Sequence, residues 1–403
     1  MNATLKLAAP LVVALAVAAC NAGGVSNLPG APSGNASSQN HSIPQWKATG
    51  AAKQVCPDVA RGYAQCDALV LNNKIGPNVA GWQPADFQSA YKLPSATKGK
   101  GQIVAIVDAY DNPNAASDLA AYRSEFGLGT ANFTKYNQKG QTSNYPSGNQ
   151  NWGLEEDLDI EMVSAVCPNC TIYLIEANSN GTNDLQTAEA EAVTLGAHIV
   201  SNSWGCPGSN NCDDPSYFDT KGVAYLASGG DGGYGTQAPA ALASVIAVGG
   251  TVLSKSGSNY SETAWVDAGA GCASGVTKPS WQKDPKCKYR TMDDVSAVAW
   301  NAAEYDTYGY HGWFTVGGTS VASPLTAGVI GLAGNASKMN AGEEFWKIKK
   351  HKVSKELHDI TSGDDARCPA SLQGTYLCDA GTKQFGQYSG PTGWGTPLGV
   401  KAY

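Results

Sequence analysis

Short apolar stretches typical of buried β-strands alternate with helix-like stretches along most of this 403-residue chain. Helix-like patterns cover residues 115–126 and 184–197, and an acidic one begins at Gly153. The strand-like stretches are QIVAIVDAY, TIYLIEA, HIVSNSWG, VAYLASGGD and VIAVGGT. Continuous apolar strands separated by helices are typical of a parallel sheet covered on both faces. The sequence therefore predicts an α/β fold with a largely parallel central sheet, whose functional residues gather at the carboxyl ends of the strands.

The composition excludes some classes of partner. Charged residues make up 15% of the chain, against about 25% in typical soluble proteins. The net charge is −7 and no basic patch is visible, which argues against nucleic acid as a partner. We find no internal repeat and no domain boundary between Ala51 and Tyr403, so residues 51–403 are predicted to form one domain.

The N-terminus has the pattern of an export signal. One lysine precedes an apolar run that is too short to span a bilayer, so residues 1–19 are predicted to be a signal peptide. The tetrad Val17-Ala18-Ala19-Cys20 resembles the bacterial lipobox, which predicts a lipid anchor on Cys20. An ordinary signal peptide cleaved near Cys20 is the alternative. Residues 20–50 then form a flexible linker, and the protein is expected in the bacterial cell envelope or outside the cell.

The cysteines agree with export. Without Cys20, ten of the 11 cysteines remain, and they fall into sequence-local pairs that suit disulfide bonds in an oxidising compartment. These pairs are Cys56 with Cys66, Cys167 with Cys170, Cys206 with Cys212, Cys272 with Cys287 and Cys368 with Cys378. A redox or metal role for Cys167 and Cys170 is the alternative, but no second CxxC exists.

The acidic stretch GLEEDLDIEMVSAV places two carboxylates inside an apolar face. On a helix of about 100° per residue, Glu155 and Asp159 lie among Leu158, Met162 and Val166. The other acids of the stretch fall outside that arc, and a solvated helix start accounts for Glu156 and Asp157. These other acids are Glu156, Asp157 and Glu161. Two adjacent acids among apolar side chains are expected to share a proton and to titrate together.

A second stretch, FTVGGTSVASPLTAGVIGLAG, has the pattern of a mounted serine nucleophile. Two glycines allow a sharp turn before Thr319 and Ser320, and an apolar helix follows with Pro324 in its first turns. Ser320 then stands at a helix N-terminus, where free N–H groups and the helix dipole favour negative charge. A simple N-capping serine is the alternative.

This serine stretch resembles the active-site segment that subtilisins and sedolisins share. Subtilisins also need a histidine between the strand aspartate, which corresponds to Asp108, and the serine. The only histidines in that interval are His198 and His311, and neither lies in such a motif. We therefore expect both to be structural, with a subtilisin-type enzyme that depends on His198 as the alternative.

The sedolisins, or serine-carboxyl peptidases, carry a Glu-x-x-x-Asp motif that Glu155 and Asp159 match. The resemblance covers residues 89–397 and implies a subtilisin-like three-layer fold. It implies that Glu155 is the general base for Ser320 and that Asp159 orients Glu155. It also implies that Asp231, in SGGDGG, helps to form the oxyanion hole, and that SNSWG lines the substrate cleft.

Two features depart from the family. The resemblance implies one calcium ion near the C-terminus, for which Asp359 and Ile360 match the family's ligand positions, but Ser389 stands where a second aspartate is expected. The interval between Cys20 and the first core strand is also too short for the long prosegment that sedolisins usually have.

The resemblance implies an exported serine-carboxyl endopeptidase that hydrolyses peptide bonds of proteins at acidic pH. We expect it to be a monomer whose partners are protein or peptide substrates, with contact to a membrane through Cys20. A surface binding lipoprotein that kept the fold and lost turnover is the alternative.

Overall fold

The computed structural model describes residues 43–72, 75–208, 214–348 and 350–403. The signal-peptide and lipid-anchor predictions lie outside the described residues. In the part of the chain that is described, no helix is both long enough and apolar enough to cross a membrane.

The helices and strands are numbered in chain order. The helices are α1 Gln45–Thr49, α2 Pro84–Ala90, α3 Ala115–Glu125, α4 Gln150–Val166, α5 Thr182–Thr194, α6 Thr319–Ala333, α7 Glu343–Lys347 and α8 Lys350–Glu356, with 3₁₀ turns at Pro215–Phe218 and Ala336–Lys338. The strands are β1 Ala52–Gln54, β2 Gln65–Cys66, β3 Leu69–Leu71, β4 Ile103–Ala109, β5 Asn132–Asn137, β6 Thr171–Ala177, β7 Ile199–Asn202, β8 Trp204–Pro207, β9 Ala224–Ser228, β10 Gln237–Ala238, β11 Val245–Ser256, β12 Asn259–Ala264, β13 Gly271–Ala273, β14 Arg290–Met292, β15 Val295–Val298, β16 Trp300–Asp306, β17 Gly312–Gly317, β18 Leu357–His358 and β19 Thr396–Pro397.

The central sheet has the order β12-β11-β9-β7-β4-β6-β5, with β15 paired to β11. All of its pairings are parallel except that of β12 with β11. Strands β4, β7 and β9 are almost completely buried, as expected for parallel strands covered by helices. The predicted α/β fold with a largely parallel sheet is therefore confirmed.

Two smaller sheets join the N-terminal residues to the rest of the domain. One has the order β1-β3-β17-β16, and the other has the order β10-β8-β2. Helix α1 lies inside the range predicted as a flexible linker, and its Trp46 is buried. The structure differs from the linker prediction here because the α1 backbone N–H groups of Gln45 and Trp46 donate to the Asp267 carboxylate, at 2.6 and 2.9 Å.

Helices α4 and α6 pack closely because Gly328 has no side chain. A Cβ atom at residue 328 would lie 2.4 Å from Val166 Cγ2 and 3.4 Å from the Val163 carbonyl oxygen. The distance to Val166 is much shorter than van der Waals contact, so a larger residue at position 328 would force Val166 or the helices to shift. The two predicted catalytic groups lie on these same helices, Ser320 in the first turn of α6 and Glu155 on α4.

Four of the predicted disulfides are present: Cys56–Cys66, Cys167–Cys170, Cys272–Cys287 and Cys368–Cys378. Cys206 is disulfide-bonded too, and its predicted partner Cys212 lies outside the described residues. The alternative redox or metal role of Cys167 and Cys170 is not needed to account for this pair.

We predict that Gly328→Ala destabilises the domain by about 1–3 kcal/mol, because the added methyl group overpacks the contact between α4 and α6. Urea unfolding followed by tryptophan fluorescence measures the change. Gly76→Ala is the matched control, since a Cβ there has no atom within 4 Å. Equal midpoints for the two variants would contradict this account of the packing.

Candidate active site

Helix α4 carries the predicted acid pair into the interior. Its N-terminus is capped by the Asn149 side chain, which accepts hydrogen bonds from the N–H groups of Asn151 and Trp152 at 3.0 and 3.3 Å. Glu155 and Asp159 are fully buried, as the helical periodicity predicted.

The other acids of α4 are buried as well, and the prediction of a solvated helix start is wrong for Glu156 and Asp157. Glu156 accepts a hydrogen bond from Asn112 N at 3.1 Å, and Asp157 accepts one from Asn112 Nδ2 at 2.8 Å. Glu161 accepts one from Tyr305 N at 3.2 Å. Their hydrogen-bond partners, Asn112 and Tyr305, come from other parts of the chain. These parts cover faces of α4 that helical periodicity predicts to be exposed to solvent.

Ser320 lies in the first turn of α6, directly after the turn at Gly317 and Gly318. Gly318 has φ 111°, a conformation that favours glycine. The Ser320 side chain is fully buried, and its hydroxyl donates to the Ser203 carbonyl oxygen at 3.2 Å. The hydroxyl also neighbours the Glu155 carboxyl, whose pKa it lowers.

Ser203 links Ser320 to the acid pair. Its hydroxyl donates to Asp159 Oδ1 at 2.7 Å, while its carbonyl oxygen accepts from Ser320. Ser203 lies in SNSWG, directly after β7, at the carboxyl end of a parallel strand. The resemblance placed this segment in the cleft but gave Ser203 no role of its own.

Burial raises the pKa of Glu155 well above its ordinary value, and the nearby charges of Asp159 and Asp108 raise it further. Burial and the charge of Asp108 also raise the pKa of Asp159, while the Ser203 hydrogen bond lowers it. Within the described residues, neither carboxyl oxygen of Glu155 has a hydrogen-bond partner of normal geometry. The pair therefore holds protons at acidic pH and can accept one from a neighbouring hydroxyl when it is ionised.

Asp108 is a third buried acid near Glu155 and Asp159, since its charge raises the pKa of both. It lies near the carboxyl end of β4 and is fully buried, and burial raises its pKa to about 8. A protonated Asp108 is therefore the form expected at acidic pH.

Asp231 follows β9 in a glycine-rich loop next to Ser320. Its Oδ1 accepts from Thr319 N at 2.7 Å and from Thr319 Oγ1 at 2.9 Å. Its buried Oδ2 has no partner in the described structure and lies against Gly318. Burial, followed by the charge of Asp67, raises the pKa of Asp231 well above its ordinary value. A protonated Oδ2 would be a free hydrogen-bond donor beside the start of α6.

Two residues near the N-terminal end of the described chain, Trp46 and Asp67, also contact this site. The sequence did not predict either of them as a site residue. Trp46 Nε1 donates to the Asp231 carbonyl oxygen at 2.8 Å. The Asp67 carboxylate accepts from Ser228 Oγ and Gln237 Nε2, both at 2.5 Å. Burial raises the pKa of Asp67 to about 7, although the two hydrogen bonds lower it. No local pattern around either residue indicates these contacts.

The histidines lie elsewhere. His198 is exposed, and its Nδ1 pairs with the Gly222 carbonyl oxygen at 2.8 Å. His311 is exposed with φ 59°. Ser320 is fully buried, so these contacts do not favour the alternative of a histidine-dependent triad.

The residues at the predicted calcium position do not fit that ion. Asp359 Oδ2 lies 2.7 Å from Lys383 Nζ, and the Ser389 and Thr392 hydroxyls bond each other at 2.7 Å. Ile360 is buried among apolar neighbours. Calcium prefers six or more oxygens with several negative charges. Asp359 Oδ1 is buried without a partner among the described residues, but Oδ2 already pairs with an ammonium group and Ser389 supplies no carboxylate.

Asp118, Asp157 and Asp306 form a separate buried acidic cluster, with carboxylate oxygens within 4.8 Å of one another. Burial is the largest cause of a raised pKa at each of them. Protonation at acidic pH therefore removes much of their mutual repulsion, and we assign no metal to the cluster.

The largely parallel sheet covered by helices is a subtilisin-like fold. As in the sequence resemblance, a serine lies in the first turn of a helix and faces buried carboxyl groups. The sequence model of the subtilase family (Peptidase_S8) matches residues 129–360, which is more than half of the chain. The chain belongs to the subtilase family.

Within that family, its relatives include kumamolisin from Bacillus sp. (strain MN-32), 27% identical over 365 residues, covering 79% of this chain and 62% of the relative. Sedolisin from Pseudomonas sp. (strain 101) is 26% identical over 360 residues, covering 78% of this chain and 60% of the relative. The chain thus spans about 60% of the length of both. The solved structure of Pseudomonas sedolisin, a serine-carboxyl proteinase complexed with pseudo-iodotyrostatin, superposes with a TM-score of 0.64 at 24% identity, covering 80% of this chain and 96% of that one. The resemblance to sedolisins is confirmed, and these relatives support a serine-type peptidase.

We predict that the domain is most stable in acid. Asp67 and Asp108 have folded-state pKa values of about 7 and about 8, above the unfolded value of about 3.9. The contribution of these two carboxyl groups to the free energy of unfolding is therefore complete below about pH 4. It is lost as the pH rises through about 7–8. Urea midpoints at pH 4 and pH 8 measure the fall. Asp108→Asn should make it smaller, whereas Asp219→Asn, at an exposed position, should not; a midpoint that rises with pH would contradict the prediction.

Proposed function

We propose that this chain is an exported serine-carboxyl endopeptidase that hydrolyses peptide bonds of proteins at acidic pH. The observation that carries the proposal is the burial of the Ser320 hydroxyl beside the Glu155 carboxyl, with Asp159 next to it. A serine hydroxyl is a weak nucleophile on its own and needs a neighbouring base. In this site the neighbouring base is a carboxylate.

Ser320 Oγ attacks the carbonyl carbon of the scissile bond while its proton passes to Glu155. The negative charge develops on the carbonyl oxygen, where protonated Asp231 and the Ser320 backbone N–H donate hydrogen bonds. When the tetrahedral intermediate collapses, the C–N bond breaks and Glu155 returns the proton to the leaving amine. Water then attacks the acyl-enzyme ester by the same route and releases the carboxylic acid.

Asp159 and Ser203 hold this arrangement in place. The Ser203 hydroxyl binds Asp159 Oδ1, and its carbonyl oxygen binds the Ser320 hydroxyl, so one residue fixes both ends of the proton path. Because Asp159 neighbours Glu155, the two carboxyl groups share a proton. When Glu155 gives its proton to the leaving amine, the remaining negative charge is therefore spread over both groups.

The two roles that carboxyl groups play limit the pH range of the activity on both sides. The acid pair must lose one proton before Glu155 can act as a base, which sets the rising limb of activity with pH. Asp231 must keep its proton to donate to the oxyanion, and its raised pKa sets the falling limb. The activity is therefore bell-shaped in pH.

Export is proposed from the predicted signal peptide and from the disulfides, and the lipid anchor on Cys20 is proposed from the lipobox resemblance. We propose that the enzyme acts as a monomer on protein or peptide substrates. No step of this mechanism passes through calcium at Asp359 and Ile360.

Ser320→Ala and Glu155→Gln should each lower kcat/KM for casein by about 10⁴- to 10⁶-fold near pH 3–5, since each removes a group that acts only in the reaction. Release of acid-soluble peptides measures the activity. Glu156→Gln is the matched control, because this neighbouring acid is buried in the same helix but binds Asn112. Undiminished cleavage by either active-site variant would refute the mechanism, and a folded wild-type chain without activity at any pH would favour the binding lipoprotein.

Asp231→Ala should lower kcat by about 10²- to 10³-fold with a smaller change in KM, because the oxyanion loses one donor only in the transition state. Steady-state kinetics with a chromogenic peptide separate the two constants. Asp219→Ala, at an exposed position, should behave as wild type. A loss confined to KM would mean that Asp231 binds substrate instead.

A further inference from the structure

Residues 63–67 lie as a central strand in the cleft above the proposed active site. On one side, β2 pairs antiparallel with β8, with Gln65 opposite Gly205 and Cys66 opposite Trp204. On the other side, Tyr63 bridges Gly181 in antiparallel fashion. An extended peptide held on both edges is the arrangement expected for a substrate that is bound by main-chain hydrogen bonds.

Further main-chain hydrogen bonds fix the register of this segment. Ala64 N donates to the Asn180 carbonyl oxygen at 2.8 Å, and Asn180 Nδ2 donates back to the Ala64 carbonyl oxygen at 2.8 Å. Asp67 N donates to the Ser203 carbonyl oxygen at 3.0 Å. The same Ser203 oxygen accepts the Ser320 hydroxyl, so the Asp67 backbone and the nucleophile meet at one atom.

The Asp67 carbonyl group lies beside the proposed oxyanion site. A Cβ atom on Gly318 would lie 2.0 Å from the Asp67 carbonyl oxygen and 2.6 Å from Asp231 Oδ2. Both oxygens therefore crowd the same face of Gly318, two residues before Ser320. Asp231 Oδ2 has no hydrogen-bond partner in the described part of the chain, so its proton can be donated to a carbonyl oxygen placed there.

The chain then continues past the serine. Leu69 pairs with Gly317 and Val70 with Val316, both antiparallel, so β3 lies on the strand that leads into α6. Residues before Asp67 are held by β8, and residues after Ala68 are held by β17. The peptide bond between Asp67 and Ala68 thus lies between these two pairings, at the point where the segment passes Ser320.

The Asp67 side chain occupies a polar pocket. Its Oδ2 accepts from Ser228 Oγ and Gln237 Nε2, and the residue is 7% exposed. The pocket opens into a cleft of about 340 Å³ that Gly229, Gly230 and Asp231 also line. No cationic side chain hydrogen-bonds or ion-pairs with this carboxyl among the described contacts, so the pocket suits a neutral carboxyl or amide group.

We propose that residues 63–70 are an internal substrate, that the bond between Asp67 and Ala68 is the one that Ser320 cleaves, and that the pocket at Ser228 and Gln237 selects aspartic acid or asparagine before the scissile bond. This inference rests on the proposed function. Ser320 Oγ forms an ester with the Asp67 carbonyl carbon, the bond to Ala68 N breaks, and that nitrogen takes the proton from Glu155. One water then hydrolyses the ester and leaves a carboxyl group at Asp67.

Intact mass and N-terminal sequencing of the purified chain after incubation at pH 4 test the cleavage. We expect a new N-terminus at Ala68 in wild type and an uncut chain for Ser320→Ala. Asp67→Asn should be cut, whereas Asp67→Lys should stay whole because its charge cannot enter the pocket. Asp58→Lys is the matched control, since Asp58 is an exposed acid in the Cys56–Cys66 disulfide loop that precedes Asp67, and this variant should be cut like wild type.

A peptide arm tests the pocket without altering the protein. The acid-treated enzyme is given a synthetic peptide with the sequence of residues 62–71, with serine at Cys66, and a second peptide with lysine at Asp67. We expect cleavage after the aspartate, and at least a 100-fold lower kcat/KM for the lysine peptide. Casein cleavage that depends on Ser320, together with an uncut chain or equal rates on both peptides, would overturn this inference and leave the proposed function standing. A chain that cleaves neither casein nor itself would overturn both.

Discussion

Water is kept away from the carboxyl groups of Glu155 and Asp159, and the proposed chemistry depends on this exclusion. A solvated glutamate is a weak base, because water stabilises its charged form. Between α4 and α6 the charge is stabilised less, so an ionised Glu155 takes up a proton more readily. Gly328 belongs to the same contact between α4 and α6, where its missing side chain lets the two helices pack closely.

Ser203 is the point at which the separate parts of the site meet. Its hydroxyl donates to Asp159, and its carbonyl oxygen accepts from both the Ser320 hydroxyl and the Asp67 backbone N–H. It occupies the position after a central parallel strand, where ends of neighbouring strands and helices converge. A residue of this kind needs no reactive side chain to matter, since its backbone sets distances that the reaction requires.

The sequence predicted those parts of the molecule that depend on local patterns. Apolar runs gave the central strands, helical periodicity gave the burial of Glu155 and Asp159, and the glycine turn before Ser320 gave its place at a helix start. The burial of Glu161 depends on Tyr305, which no pattern within α4 can indicate. The contacts of Asp67 and Trp46 join residues 161 and 185 positions apart, so only the folded chain reveals them.

The ion pair between Asp359 and Lys383 has a consequence for how the C-terminal region is held together. A bound metal stabilises a fold in proportion to its free concentration, and a chelator can remove it. The lysine ammonium is part of the polypeptide and cannot diffuse away, so the charge opposite Asp359 is present in any medium, however poor in minerals. Dissolved salt screens such a partly exposed pair, so ionic strength sets how strongly it holds the region together.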